Sequence, residues 1–85
     1  MQIEFKKRPG HIRILKHLLI QKDYYYNIAK TLCVSLGQVH TYLNELEQIG
    51  FLSSELKQKE KYSNKKIREY TIVEEKRKEI EDFVK

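Results

Sequence analysis

Apolar residues recur at helical spacing over the first part of the chain and alternate with polar residues further on, which predicts helices followed by strands. Between Pro9 and Gln21 a broad apolar stripe predicts a first helix that packs on the core, and Pro9 suits a helix start. From about Tyr24 to Leu32 a second helix is predicted, with Asp23 as its cap. A turn near Cys33 is expected to follow this helix.

The third helix is predicted from Ser35 to about Ile49, and the rest of the chain is organised around it. Ser35 can cap its start, and Gly50 is placed to end it. At about 100 degrees per residue, the apolar positions that follow Val39 stay on one side. The opposite side carries Gly37, His40, Thr41, Asn44 and Gln48. Short polar side chains there can bond to DNA base edges, and Asn44 suits a bidentate contact with adenine. Two helices joined in this way form a helix-turn-helix motif.

Two later segments, 51–61 and 65–73, have the pattern of strands, and the turn formers between them predict a hairpin with its tip at 61–66. A charged helix is predicted over 74–85, with three apolar side chains on one face: Ile80, Phe83 and Val84. So short a helix needs a partner surface. That surface is either its own domain or the same helix of a second copy, joined by Ile3 and Phe5 of an N-terminal arm or strand over 1–8.

Positive charge is concentrated in two blocks. The chain has 17 Lys and Arg residues against 12 Asp and Glu residues. Residues 1–22 and 57–68 each contain six cations and one acid, whereas 23–56 and 69–85 are acidic. Such blocks beside a helix-turn-helix favour phosphate contacts on both sides of a groove, and solvated surface lysines are the alternative. Because Glu45 and Glu47 weaken the attraction of the third helix for phosphate, we expect the blocks to provide most of the affinity.

The three tyrosines Tyr24 to Tyr26 allow two interpretations. Their rings can pack on the core while the hydroxyls stay in water. Alternatively, the hydroxyl of Tyr25 or Tyr26 meets a DNA phosphate at the start of the second helix, where the helix dipole also favours an anion. The single cysteine, Cys33, is expected to be a reduced thiol, with a disulfide between two copies as the alternative.

Several classes of function are not favoured by the sequence. It contains no Ser/His/Asp, Cys/His, paired-carboxylate or phosphate-loop arrangement, so we expect no enzyme activity, no cofactor and no small-molecule ligand. His11 and His17 fall on different helix faces, and no metal site is expected. No segment has the apolar length of a membrane span or the pattern of a secretory signal. The expected location is the cytoplasm, at the nucleoid, or the host cytoplasm if the protein is viral.

A family resemblance rests on two stretches. Between Ile28 and Leu52 the chain reads IA..L.VS...V..YL..LE..GFL, and residues 68–72 read REYTI. With the order of elements, these stretches resemble the winged helix-turn-helix transcription regulators of the MarR, ArsR and PadR group, and small winged-helix proteins of archaea and their viruses. The resemblance implies a fold of the α+β class, mainly α, with a three-helix core, a two-stranded wing and a C-terminal helix in one domain over 1–85.

The resemblance also implies a mode of binding. The third helix is expected to lie in the major groove, with bases read by Gln38, His40, Thr41 and Asn44, while the wing reaches the adjacent backbone. The expected phosphate contacts are Tyr25, Tyr26, Ser35, Gly37, Lys59, Lys61, Lys65, Lys66 and Arg68. Gly37 lets the start of the helix approach the backbone closely.

We therefore predict sequence-specific binding of double-stranded DNA by a transcription regulator. A homodimer on a palindromic site is expected, because a chain of 85 residues buries only about 60 to 65% of its unfolded surface alone. The alternative is a winged helix that serves as a protein-interaction module within a larger transcription assembly.

Overall fold

The computed structural model describes residues 8–58 and 66–85. Their helices and strands follow one another in the order α1 (Pro9–Ile20), β1 (Asp23–Tyr24), α2 (Tyr25–Leu32), α3 (Leu36–Gln48), β2 (Leu52–Gln58), β3 (Lys66–Ile72) and α4 (Arg77–Phe83). A single 3-10 turn, Glu74–Lys76, leads into α4. The predicted class is confirmed: mainly helical, with a small antiparallel sheet.

The sheet has three strands in the order β1-β3-β2, so the second strand of the hairpin lies in the middle. β1 was not predicted, because two residues are too few to show an alternating pattern. The interpretation of Asp23 as a helix cap is wrong. Asp23 pairs with Tyr70 in the sheet, and its carboxylate accepts hydrogen bonds from the Tyr24 N–H and from the side chain of Asn27. The residue that precedes α2 is Tyr24, which makes no side-chain cap.

Both predicted ends of α3 are confirmed. The Ser35 hydroxyl accepts a hydrogen bond from the Gln38 N–H at 3.3 Å and so satisfies a backbone donor of the first turn. At the other end Gly50 has a φ of 87°. This left-handed conformation is strained for residues with a Cβ, so the glycine lets the chain turn sharply from α3 into β2. α3 thus begins and ends where its capping residues dictate.

The core is shared by all four helices and two strands. Its buried apolar residues are Ile14, Leu15, Leu18, Ile28, Ala29, Val39, Leu43, Leu46, Leu52, Tyr70, Ile72 and Ile80. Ile80 of α4 is 0% exposed, so it is not available for a contact with a second copy, and that part of the dimer prediction is wrong. α4 docks on its own domain because its apolar face finds the core there, and Phe83 packs edge-to-face on Phe51 with ring centroids 5.4 Å apart. Val84 is partly buried against the same core.

Candidate nucleic-acid interface

The outward side of α3 is an exposed polar strip. All four residues predicted to read bases, Gln38, His40, Thr41 and Asn44, are exposed there. The Thr41 hydroxyl donates to the carbonyl of Gly37 at 3.0 Å, which leaves its oxygen free to accept a further bond. The Asn44 amide nitrogen lies 3.2 Å from Nδ1 of His40, one turn away. The strip therefore presents donors and acceptors whose orientation is partly fixed by contacts within the helix.

On one side, α3 is held against the start of α1 by a group of four residues that we call the His11 cluster: Gly10, His11, Tyr42 and Glu45. His11 is 0% exposed. Its Nδ1 accepts the Arg8 N–H at 3.1 Å, so the proton lies on Nε2, which donates to Glu45 Oε1 at 3.1 Å. The sequence did not indicate this role, because the partner Glu45 lies 34 positions away in the chain.

Close packing completes the His11 cluster. The ring of Tyr42 meets the ring of His11 edge-on, with centroids 4.8 Å apart. The same ring covers Gly10 so closely that a Cβ at position 10 would overlap it. Glycine is thus required by the approach of α3 to α1 rather than by backbone conformation. Arg8 lies at this junction and is exposed, so one cation of the N-terminal basic block lies beside α3.

On its other side, α3 is joined to the hairpin by a hydrogen-bonded chain that we call the Ser54 bridge: Glu47, Ser54 and Arg68. The Ser54 hydroxyl donates to Glu47 Oε2 at 2.7 Å, and Arg68 Nη1 donates to the same hydroxyl at 2.9 Å. Arg68 was predicted to contact phosphate, and here it is bound within the domain. Both glutamates of α3 likewise have intramolecular partners, so their carboxylates are drawn towards the domain and away from the outward strip.

The start of α2 borders the strip beyond His40. Tyr25 is half-buried, and its ring meets His40 edge-on with centroids 5.9 Å apart. Tyr26 is 61% exposed. The core interpretation therefore fits Tyr25 better than Tyr26, and only Tyr26 has its ring largely in water.

The turn between α2 and α3 contains a cation that sequence reasoning did not single out. Arg13 of α1 is exposed and donates to the carbonyl of Leu32 at the end of α2. Cys33 follows with a left-handed φ of 56° and an exposed free thiol. Arg13 belongs to the N-terminal basic block, so the concentration of charge in that block was the sequence feature that could have pointed to it. Ser35 and Gly37 are exposed at the start of α3, as a phosphate contact there requires.

The outer face of the hairpin holds a separate ion-pair group. Lys57 Nζ lies 2.7 Å from Glu69 Oε1 and 3.7 Å from Glu55 Oε2, and Lys22 Nζ lies 3.8 Å from Glu69. The hydrogen bond from Lys57 lowers the pKa of Glu69 below its ordinary value. Lys57 thus reduces the repulsion between two glutamates that face each other across the strands.

Several predicted contacts cannot be placed. Ile3, Phe5, Lys59, Lys61 and Lys65 lie outside the described residues, as does the side chain of Lys66. Within 8–58 and 66–85, no three His, Cys, Asp or Glu side chains are grouped as metal ligands. No helix of the same ranges is long and apolar enough to cross a bilayer.

Comparison with known proteins finds matches among solved structures, while no family model and no curated protein matches the chain. A double mutant of ZitR from Lactococcus lactis matches with a TM-score of 0.76 at 18% identity, over 93% of this chain and 51% of that one. A transcriptional regulator homologue from Pyrococcus horikoshii OT3 matches with a TM-score of 0.77 at 19% identity, over 91% and 74%. PadR from Bacillus subtilis, solved in complex with operator DNA, matches with a TM-score of 0.77 at 18% identity, over 91% and 47%.

These matches establish the fold. The chain spans about half the length of the ZitR and PadR chains. At such identities the likeness concerns the backbone arrangement, in which α3 has the position of the recognition helix and β2 and β3 that of the wing. The resemblance to archaeal and viral proteins in particular stays a prediction. The chain has the winged helix-turn-helix fold found in these transcription regulators.

Proposed function

We propose that this protein is a transcription regulator that binds double-stranded DNA in a sequence-specific manner, as a homodimer on a palindromic site. The observation that carries the proposal is the exposed polar strip of α3, supported on both sides by the domain. The operator complex of PadR, a protein of the same fold, supports DNA as the partner. The role proposed is one of binding, with no catalytic step.

In this proposal α3 enters the major groove, which is about 12 Å wide and accepts a helix. Asn44 can donate one amide hydrogen to His40 and still use its oxygen and second hydrogen to read adenine. Gln38 and Thr41 supply further hydrogen bonds to base edges. Gly37 and Ser35 at the start of the helix leave room for the backbone, where the helix dipole favours phosphate.

Affinity is proposed to come from cations on both sides of α3. Arg8 and Arg13 lie on the α1 side, and the second basic block belongs to the wing, where Lys59, Lys61, Lys65 and Lys66 were predicted to follow phosphate. Tyr26 is the tyrosine whose exposure suits a phosphate contact. Phosphate contacts position a protein on the duplex without specifying sequence. In this proposal the polar strip of α3 provides the specificity and the cations provide most of the affinity.

The homodimer is proposed from the size of the chain and from α4. Phe83 and Val84 remain only partly buried in the single chain and can extend an interface. Two recognition helices related by a twofold axis then meet half-sites one helical turn of DNA apart, or a multiple of it.

Selection of bound duplexes from a random pool, followed by sizing of the complex, tests the whole proposal. We expect a palindromic consensus bound by two chains. Asn44→Ala should relax the preference at one base pair in each half-site and leave the salt dependence unchanged. Replacing Lys61, Lys65 and Lys66 by alanine should weaken all sequences alike and lower the salt slope by about 0.9 per lost contact. Absence of retention on any duplex at low salt contradicts the proposal.

A protein-interaction module is the second candidate. It is favoured by the acidic stretch 23–56 and by the internal pairing of two wing cations, Lys57 with Glu69 and Arg68 with Ser54. The same retention assay decides between the two functions, because an interaction module shows little affinity for random duplex at low salt.

A further inference from the structure

We propose that Ser54 is a positioning residue for DNA binding: through the Ser54 bridge it fixes the wing relative to α3, so that base contacts and wing phosphate contacts form together. The proposal rests on the proposed function and deepens it, because it gives the wing an orientation that the domain itself sets. It also assigns Arg68 to this bridge rather than directly to phosphate.

The register of the hairpin explains how the bridge forms. Ser54 pairs with Tyr70, and Leu56 pairs with Arg68. Directly opposed residues of an antiparallel pair have side chains on the same face, so all four project from the side of the hairpin that carries the buried Tyr70. Arg68 is the diagonal neighbour of Ser54, within the reach of a long side chain. Ser53 pairs with Thr71 on the opposite face.

The chemistry of the bridge fixes the direction of its hydrogen bonds. A guanidinium can only donate and an ionised carboxylate can only accept. A serine hydroxyl has one hydrogen and free lone pairs, so it can donate to Glu47 and accept from Arg68 at the same time. Both bonds are charge-assisted, and this kind is shorter and stronger than a bond between neutral groups. Alanine at position 54 would remove both bonds without changing any charge.

The location of the bridge makes it relevant to the wing. Leu52 and Ile72 pair at the base of the hairpin and are buried in the core, as is Tyr70 at the next position on the same face. One position further, Leu56 is 56% exposed. Apolar packing therefore ends at the level of Ser54, and from there the outer half of the hairpin is linked to the recognition helix by the polar bridge.

The test compares Ser54→Ala with Ser53→Ala, its exposed neighbour on the opposite face, in duplex binding over a range of salt concentrations. Ser54→Ala should weaken binding about tenfold, the effect expected for charge-assisted bonds, and should reduce the salt slope because wing phosphate contacts are lost. Ser53→Ala should change neither quantity. Ser54→Thr keeps the hydroxyl and should restore both. Each variant is measured well below its own thermal transition, so that loss of folding does not enter.

Glu47→Ala provides a second test with opposite expectations. If charge alone matters, loss of an acid near DNA raises affinity. If the bridge positions the wing, affinity falls. If the wild type binds duplex and Ser54→Ala changes neither the affinity nor the salt slope, this inference is overturned and the proposed function stays intact. A lower salt slope in Arg68→Met, with the slope of Ser54→Ala unchanged, assigns Arg68 directly to phosphate and overturns the inference too. Failure of the wild type to bind duplex overturns the proposed function first.

Discussion

The two sides of α3, the proposed recognition helix, are held by contacts of different kinds. On the α1 side, the His11 cluster is closed: a histidine with no exposed surface bonds to Glu45, and an aromatic ring lies directly on a glycine. On the wing side, the Ser54 bridge is partly open to solvent and centres on one hydroxyl. α3 is therefore fixed to α1 by a buried contact on one side and to the hairpin by partly buried polar groups on the other.

The difference matters because burial sets the cost of losing a partner. A buried polar group left unpaired costs about 1 to 3 kcal/mol, whereas a group that water can reach recovers most of its bonding. Damage to the α1 side should thus appear as lost stability. Damage to the wing side should appear mainly as altered binding, with the domain still folded.

The largest expected effect is that of His11→Ala. It leaves a cavity beside Tyr42 and removes the partners of Glu45 and of the Arg8 N–H, so the free energy of unfolding should fall by about 3 kcal/mol. Urea unfolding at pH 7 measures it. The control is His40→Ala, an exposed histidine whose loss should change stability by no more than about 0.5 kcal/mol. Equal effects of the two variants would contradict the contrast.

Asp23 extends the comparison to the second histidine of α1. His17 Nε2 lies 2.7 Å from Asp23 Oδ2. Burial raises the pKa of Asp23, but hydrogen bonds from His17, Asn27 and the Tyr24 N–H outweigh it and hold the pKa below the usual 3.8. Because the folded pKa is depressed, its contribution to stability is complete above the unfolded value and is lost as pH falls through the folded one.

We therefore expect Asp23→Asn to lose about 2 kcal/mol of stability at pH 6, and less as the pH approaches 3. Urea unfolding of both proteins across this range measures the difference. Glu75→Gln removes an exposed acid, and its free energy of unfolding should change with pH as that of the wild type does. If the free energy of unfolding of Asp23→Asn has the same pH dependence as that of the wild type, the Asp23 carboxylate does not stabilise the contact between α1 and β1.

Gly10→Ala tests the packing of the His11 cluster without removing a hydrogen bond. The new Cβ would overlap the Tyr42 ring, and we expect a loss of about 1 to 2 kcal/mol despite the better helix propensity of alanine. The matched control is Gly37→Ala, which has no atom within 4 Å of the new Cβ. It should stabilise α3 by up to about 1 kcal/mol. Thermal unfolding of the pair should shift in opposite directions, and a shared direction would refute the close contact.

Ser54→Ala should have the smallest effect on stability, below about 1 kcal/mol, since Glu47 and Arg68 can turn to water. Measured beside His11→Ala under the same conditions, it gives the contrast between the two sides directly. A loss as large as that of His11→Ala would show that the Ser54 bridge is part of the rigid core.

The sequence was most informative where local chemistry decides structure. Ser35 and Gly50 determine the ends of α3 through capping and a left-handed turn, and both act on neighbouring residues. The hairpin was predicted from the alternation of apolar and polar residues, and the outward polar strip of α3 from helical geometry. These features need no knowledge of distant residues, and the confirmed bounds agree with the capping residues.

What the sequence did not reveal depends on contacts between distant residues. Glu45 and Glu47 were expected to weaken the attraction of α3 for phosphate, yet each bonds to a partner within the domain, 34 and 7 positions away in the chain. β1 exists because β3 offers it an edge, and Ile80 is buried because the core of its own domain has a place for it. A residue pattern gives the direction of a side chain on its own helix, but it does not give the neighbour that the side chain will meet.

The open space around Gly37 determines which substitutions the domain accepts at this position. Gly37 lies in the first turn of α3, on the outward strip, with open space where a side chain would begin. A Cβ there would meet no atom within 4 Å, so the packing of the domain accepts alanine at position 37. If Gly37 admits the DNA backbone as proposed, a large side chain at this position should block the approach of α3 to the duplex while the domain stays folded.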